Sequence, residues 1–224
     1  MTSISTMPAT PSRWRWVELI LIFGVAPLAL ALAPRRMVTL GIIGSGLAAL
    51  AALLLDPTFP RRQLWDAALA RQGLRALAVR TICVWAGLFL FALVRAREHL
   101  FEMPRTRPIA WLLVMLLYPP ISAYSQEIMF RTLFFHRYAG LLRRPAARVL
   151  ASGLLFGWAH IVVHNLSAIF LAAIGGLLFA ATYERRRSTL LVSLEHGLYG
   201  NFIFTIGLGG LFYNVHRALA AVSQ

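Results

Sequence analysis

The chain has 224 residues, of which 22 are basic and 8 acidic, giving a formal charge of +14 although charged residues make up only 13%. Hydrophobic residues reach 59% and the mean hydropathy is +0.70. That pairing excludes a disordered chain, which is poor in apolar residues, and a soluble basic nucleic-acid binder, which lacks long uncharged apolar runs. With Cys83 as the one cysteine, a disulfide scaffold is excluded too. What remains is an all-α, polytopic transmembrane helix bundle of about one domain. Every basic residue is Arg and none is Lys, which reads as genomic base composition.

Residues 1–16 form a Ser/Thr/Pro-bearing tail. A membrane span needs about 17–25 mainly apolar residues. Segments 17–33, 38–55 and 76–94 qualify, each closed by Arg or Pro. They make an N-terminal region, 17–107, of helices and Arg-rich loops. Segments 108–118, 121–135, 149–164, 166–183 and 189–207 follow within a core of 108–215, and residues 216–224 form a C-terminal tail. This predicts about eight hydrophobic helices, with 207–213 beginning a further short one. Segment 17–33 has the basic flank and small-x-small end of a signal peptide, but it is long enough to span and Arg35-Arg36 follow as an anchor.

Arginines cluster at 35–36, 61–75, 95–107, 137–148 and 185–187, and the stretches 118–126 and 164–167 have none. The positive-inside tendency turns the Arg-poor loops away from the cytoplasm. Strict alternation of eight segments then leaves 61–75 on the wrong side. Either 61–75 is an interfacial amphipathic helix or one segment does not cross.

An ionisable residue inside a span costs roughly 2.5–3.5 kcal/mol on insertion scales and so marks function by default. Glu127 and Arg131 stand in YSQEIMFRTLFFHR, His160 and His164 in FGWAHIVVHN, and Glu195, His196 and Asn201 in LEHGLYGNFIFT. The remaining acids that the sequence carries lie at segment ends or in loops. Glu127 and Arg131, four apart, share a helix face. They serve equally as a structural ion pair or as a general base held ionised by its neighbour. His160 and His164 have the spacing of the zinc motif H-E-x-x-H, but position 161 is Ile, so no metal or other cofactor is expected. His164, at the helix end, reads as a hydrogen-bonded core residue. Glu127, His160 and His196 lie at similar depths in their segments and can meet in one cavity. Buried Asp pairs and a G-x-S-x-G elbow are lacking. Cys83 has no His nearby and reads as buried packing.

At these residues the chain resembles the CPBP (Abi) family, the type II CAAX prenyl endopeptidases and their bacterial relatives. The family pattern is E-E-x-x-x-R, F-x-x-x-H and H-x-x-x-N or a variant. Here it reads Gln126-Glu127-x-x-x-Arg131, Phe156-x-x-x-His160, and His196 with Asn201. The resemblance implies a plasma-membrane endopeptidase in which Glu127, assisted by His160, activates water, His196 and Asn201 stabilise the oxyanion, and Gln126 and Arg131 support. Gln126 replaces the first Glu of the pair and cannot take a proton. Position 200, four beyond His196, is Gly, and Asn201 lies a further 100° round the helix. The partners implied are membrane lipid and a peptide or membrane-protein substrate, with no nucleic acid. A non-catalytic scaffold or immunity protein of the same fold and a proton-coupled transporter are the alternatives.

Overall fold

The computed structural model describes residues 13–212. Among the described residues there are helices and turns and no strand. Among the described residues six helices are long and apolar enough to cross a membrane. They are α1 (Arg13–Ala31), α2 (Arg35–Leu55), α3 (Leu74–Arg95), α4 (Pro108–Arg137), α5 (Pro145–Val163) and α6 (Leu166–Arg186). A seventh, α7 (Thr189–Thr205), has 17 residues and runs through the interior of the bundle. The protein is therefore a polytopic all-α membrane protein. Helix α1 starts at Arg13, inside the expected tail. Residues 1–12, the end of the expected core and the tail 216–224 lie outside the described residues.

The expected eight segments reduce to seven because 108–118 and 121–135 form one helix, α4. Pro119 and Pro120 suggest a break, since proline has no N–H to continue the ladder. The chain instead widens into a π-helical stretch, Tyr118–Ala123, and a second one, Ile128–Leu133, follows a single α turn. The Met115 carbonyl, which would have accepted the missing Pro119 N–H, is satisfied by the Asn201 side-chain amide at 3.1 Å. Nor is 61–75 one amphipathic helix. Two short helices, Arg62–Trp65 and Ala67–Arg71, meet at Asp66, whose carboxylate caps the second by accepting from the Ala68 and Leu69 N–H groups. Beyond α7 a short helix, Gly209–Phe212, ends the described residues.

Merging two segments changes the charge alternation without removing the mismatch. With α4 continuous, the Arg clusters at 61–75, 137–148 and 185–187 fall at one end of the bundle, the Arg-rich end, while those at 35–36 and 95–107 fall at the other. Ion pairs tie the Arg-rich end together. Arg137 binds Glu18, which also accepts from the Tyr138 hydroxyl at 3.0 Å, and Arg148 binds Glu184. His136 binds Asp56 at 2.9 Å. The Thr58 hydroxyl and the His136 ring hold the Asp56 carboxyl well below the usual carboxylate range. At the other end the His164 ring bonds to the Ala31 carbonyl at 2.9 Å.

The core is aromatic. Phe23 of α1 meets Phe130 and Phe134 of α4 edge-on, with centroids 5.3 and 5.5 Å apart, and Trp158 of α5 donates to the Gly24 carbonyl at 2.8 Å. The segment that looks like a signal peptide is thus packed into the bundle. Helices α5 and α6 touch backbone to backbone, because Gly153 faces Gly176 and Gly157 faces Ala173. Large apolar side chains such as Leu47, Ile82, Leu90 and Ile109 are exposed on the outer faces, as lipid contact requires. Cys83, expected to be buried, is exposed there as well.

Candidate active site

The site is built on the middle of α4. Glu127 ends the single α turn between the two π stretches, and π insertions of this kind re-aim side chains at functional positions. Glu127 and Arg131 are wholly buried and paired, with Glu127 Oε2 3.1 Å from Arg131 Nε. The alignment of that contact is that of an ion pair rather than a hydrogen bond. The guanidinium lies 4.6 Å from the Phe156 ring centroid and donates to the Gly176 carbonyl at 3.3 Å. A buried arginine facing a carboxylate keeps that carboxylate ionised, because protonating it would strand the positive charge.

His196 of α7 completes the group. Its Nδ1 lies 2.8 Å from Glu127 Oε1 and its Nε2 lies 2.9 Å from the Tyr118 hydroxyl. Phe179 of α6 stacks on the ring, with centroids 4.7 Å apart and planes at 20°. An ionised Glu127 can only accept, so Nδ1 carries the proton and donates it. The lone pair is then on Nε2, and Tyr118 donates to it. The result is a fixed chain, Tyr118 to His196 to Glu127, backed by Arg131.

His160 stands where α5 tightens from an α-helix, which ends at Ala159, into a 3₁₀ turn. Its Nδ1 donates to the Phe156 carbonyl at 2.8 Å, which leaves the Nε2 lone pair free. The Phe156 ring lies between the two histidines, 4.8 Å from His160 and 5.4 Å from His196. His164 does not share their face, because its left-handed backbone (φ 53°) ends the turn and its ring bonds to Ala31. Among the described residues no group of three or more His, Cys, Asp or Glu has a metal-holding arrangement.

A cavity of about 1110 Å³ opens beside this chain. Its wall is mostly aliphatic and aromatic, with Tyr118, Ser122, Gln126, His160 and His196 among its polar members. Glu127 and Arg131 lie behind that wall. Sequence reasoning places Glu127, His160 and His196 together, and the fold does so, but the direct partner of Glu127 is His196 rather than His160. Gln126 lines the cavity and donates to the Ser122 hydroxyl at 2.8 Å. Asn201 does not join His196, since its amide is committed to the Met115 carbonyl. Tyr118, Phe179 and the partners of Glu195 escape sequence reasoning. Tyr118 carries one signal, a hydroxyl in an apolar run just before two prolines. Glu195, next to His196, is held apart from the cavity by Arg80 Nη2 at 2.8 Å, Tyr199 at 3.0 Å and Thr182 at 2.6 Å.

The family model described as type II CAAX prenyl endopeptidase Rce1-like matches residues 105–217. The chain belongs to this family. No curated protein and no solved structure matches it. The matched stretch begins just before α4 and carries every group around the cavity-facing histidines. As a type II CAAX endopeptidase family member the protein is a multi-pass membrane protein of a peptidase family. Helices α1–α3 precede the match, yet α3 supplies Arg80 to Glu195 and the indole donor of Trp85 to the Leu198 carbonyl of α7 at 3.2 Å.

Proposed function

We propose that the protein is an endopeptidase of the plasma membrane that hydrolyses peptide bonds of apolar peptides or membrane proteins by water attack within the α4–α7 cavity. The Arg-rich end of the bundle would face the cytoplasm by the positive-inside tendency. The observation that carries this reading is the Glu127–His196 hydrogen bond, whose free end meets the cavity. Glu127 is sealed from the cavity, so it acts on water through His196 rather than by touching it. His196 Nε2 takes the proton as the water oxygen attacks the carbonyl carbon, and Glu127 stabilises the resulting imidazolium. The same proton passes to the amine as the C–N bond breaks. His160 Nε2, a free acceptor on the same wall, holds the second hydrogen of the water. Arg131 keeps Glu127 charged, and Gln126 adds a polar contact. Asn201 supports the site indirectly, by closing the gap that Pro119 leaves in α4.

The test is hydrolysis of a quenched-fluorescence Ala/Leu decapeptide by the purified protein in lipid nanodiscs. Wild type should cleave it and Glu127→Gln should not. Because Glu127→Gln strands Arg131, the double variant Glu127→Gln/Arg131→Met, neutral at both positions, is the matched control for folding. Equal rates in wild type and both variants would refute the peptidase reading and leave a non-catalytic membrane scaffold of the same fold.

A further inference from the structure

An acyl-transfer site needs a donor for the oxygen that becomes negative as water adds to the carbonyl. Helix α7 does not offer one in the expected place. One turn beyond His196, on the same face, stands Gly200, which has no side chain. Asn201 is turned away and its amide is used by Met115. The space over Gly200 is filled instead from α4, where the ring of Tyr118 lies so close that a Cβ at position 200 would run into it. Gly197, half a face away, likewise makes room for Pro119. The π stretch that starts at Tyr118 brings this ring against α7, with its hydroxyl 2.9 Å from His196 Nε2 and on the wall of the cavity.

Resting on the peptidase reading, we propose that Tyr118 is the oxyanion donor of this site, a phenol standing where the glycine at position 200 leaves α7 without one. At rest the hydroxyl caps the His196 lone pair. When substrate and water enter, water takes that place at Nε2 and the phenol O–H turns to the scissile carbonyl oxygen. A rotation about the C–O bond turns the O–H from Nε2 toward the cavity that Tyr118 itself lines. The bond from water oxygen to carbonyl carbon forms and the C=O electron pair moves onto oxygen, where Tyr118 donates to it. Tyr118 keeps its proton throughout. The proton taken by His196 leaves with the amine. The resting contact also keeps His196 out of reach of stray water until a carbonyl competes for the phenol.

The experiment measures the quenched decapeptide and a phosphonamidate analogue of it, whose tetrahedral phosphoryl oxygen mimics the oxyanion. Five proteins are compared in nanodiscs, namely wild type, Tyr118→Phe, Gly200→Ala, Asn201→Ala and Glu127→Gln/Arg131→Met. Tyr118→Phe should lose about 10²–10³-fold in kcat with KM within about twofold, and should bind the analogue weaker by the same factor while binding the uncleaved peptide normally. Asn201→Ala should keep the preference of wild type for the analogue over the peptide. Gly200→Ala retains the phenol but pushes its ring aside, and should lower kcat in the same direction. Wild-type kcat in Tyr118→Phe, or in Gly200→Ala should Tyr118→Phe fail to fold, overturns the inference while leaving the peptidase reading intact. Loss of analogue preference in Asn201→Ala alone also overturns it. A wild type no faster than Glu127→Gln/Arg131→Met overturns the peptidase reading and the inference together.

Discussion

Among the described residues two carboxylates are wholly buried, and both face an arginine. Glu195 forms an ion pair with Arg80 of α3, and each of its oxygens accepts from a hydroxyl, Tyr199 of its own helix on one and Thr182 of α6 on the other. Glu127 is held by Arg131 in an ion pair without hydrogen-bond alignment and by one histidine. The first network ties three helices, and although Tyr199 also lines the cavity, its one hydroxyl proton is spent on Glu195. The second continues from carboxylate to imidazole to phenol and ends at a cavity. Burial and an opposite charge are common to both, so neither marks chemistry. What separates them is whether the hydrogen-bond chain has an open end.

Breaking the open chain should have the largest effect. Glu127→Gln should reduce peptide hydrolysis to background, and Glu127→Gln/Arg131→Met should do the same in a protein that still folds, as measured by cleavage rate beside thermal unfolding. Arg131→Ala should come next, destabilising by about 3–5 kcal/mol because it leaves a buried carboxylate unpaired. An unfolding midpoint equal to wild type would show that the pair is solvated. The closed network gives the contrast. Glu195→Gln should destabilise by about 1–3 kcal/mol through lost charge-assisted bonds, yet leave kcat within a few-fold of wild type. A Glu195→Gln protein that folds normally but does not turn over would place both carboxylates in the chemistry.

The smallest effect belongs to the Asp56–His136 contact at the Arg-rich end, which is partly exposed. The Asp56 carboxyl titrates below its usual range in the folded protein, so its stabilisation is present above the ordinary carboxylate range and is lost on acidification. The difference in Tm between wild type and Asp56→Asn should therefore be seen at neutral pH and shrink below about pH 4. A difference that grows on acidification would contradict the assignment.

Hydropathy made the all-α membrane class legible, because a run of some twenty apolar residues has few soluble explanations. It miscounted at Pro119-Pro120, where a local rule about proline was overridden by a contact from α7. The ionisable residues Glu127, Arg131, His160 and His196 were legible for the same reason that the spans were, since charge is rare in lipid. Which of them touch was not, because a helix face says nothing of the neighbour it meets. Tyr118 is not legible in the sequence, since tyrosine is ordinary in membrane helices and its place depends on what position 200 of another helix lacks. Asn201 stands close to His196 in sequence, but one residue of offset from position 200 turns it to the Met115 carbonyl instead.

The π-widened α4 has a consequence for how the protein is made. The groups that satisfy it are 69 residues later for Glu127, at His196, and 86 residues later for Met115, at Asn201. During synthesis α4 leaves the ribosome and enters the membrane before either exists. Its carboxylate then has only Arg131 for company, and its kinked carbonyl has nothing. The chain from Tyr118 through His196 to Glu127 is thus incomplete until α7 arrives, and a truncated product lacking α7 holds only the Glu127–Arg131 pair.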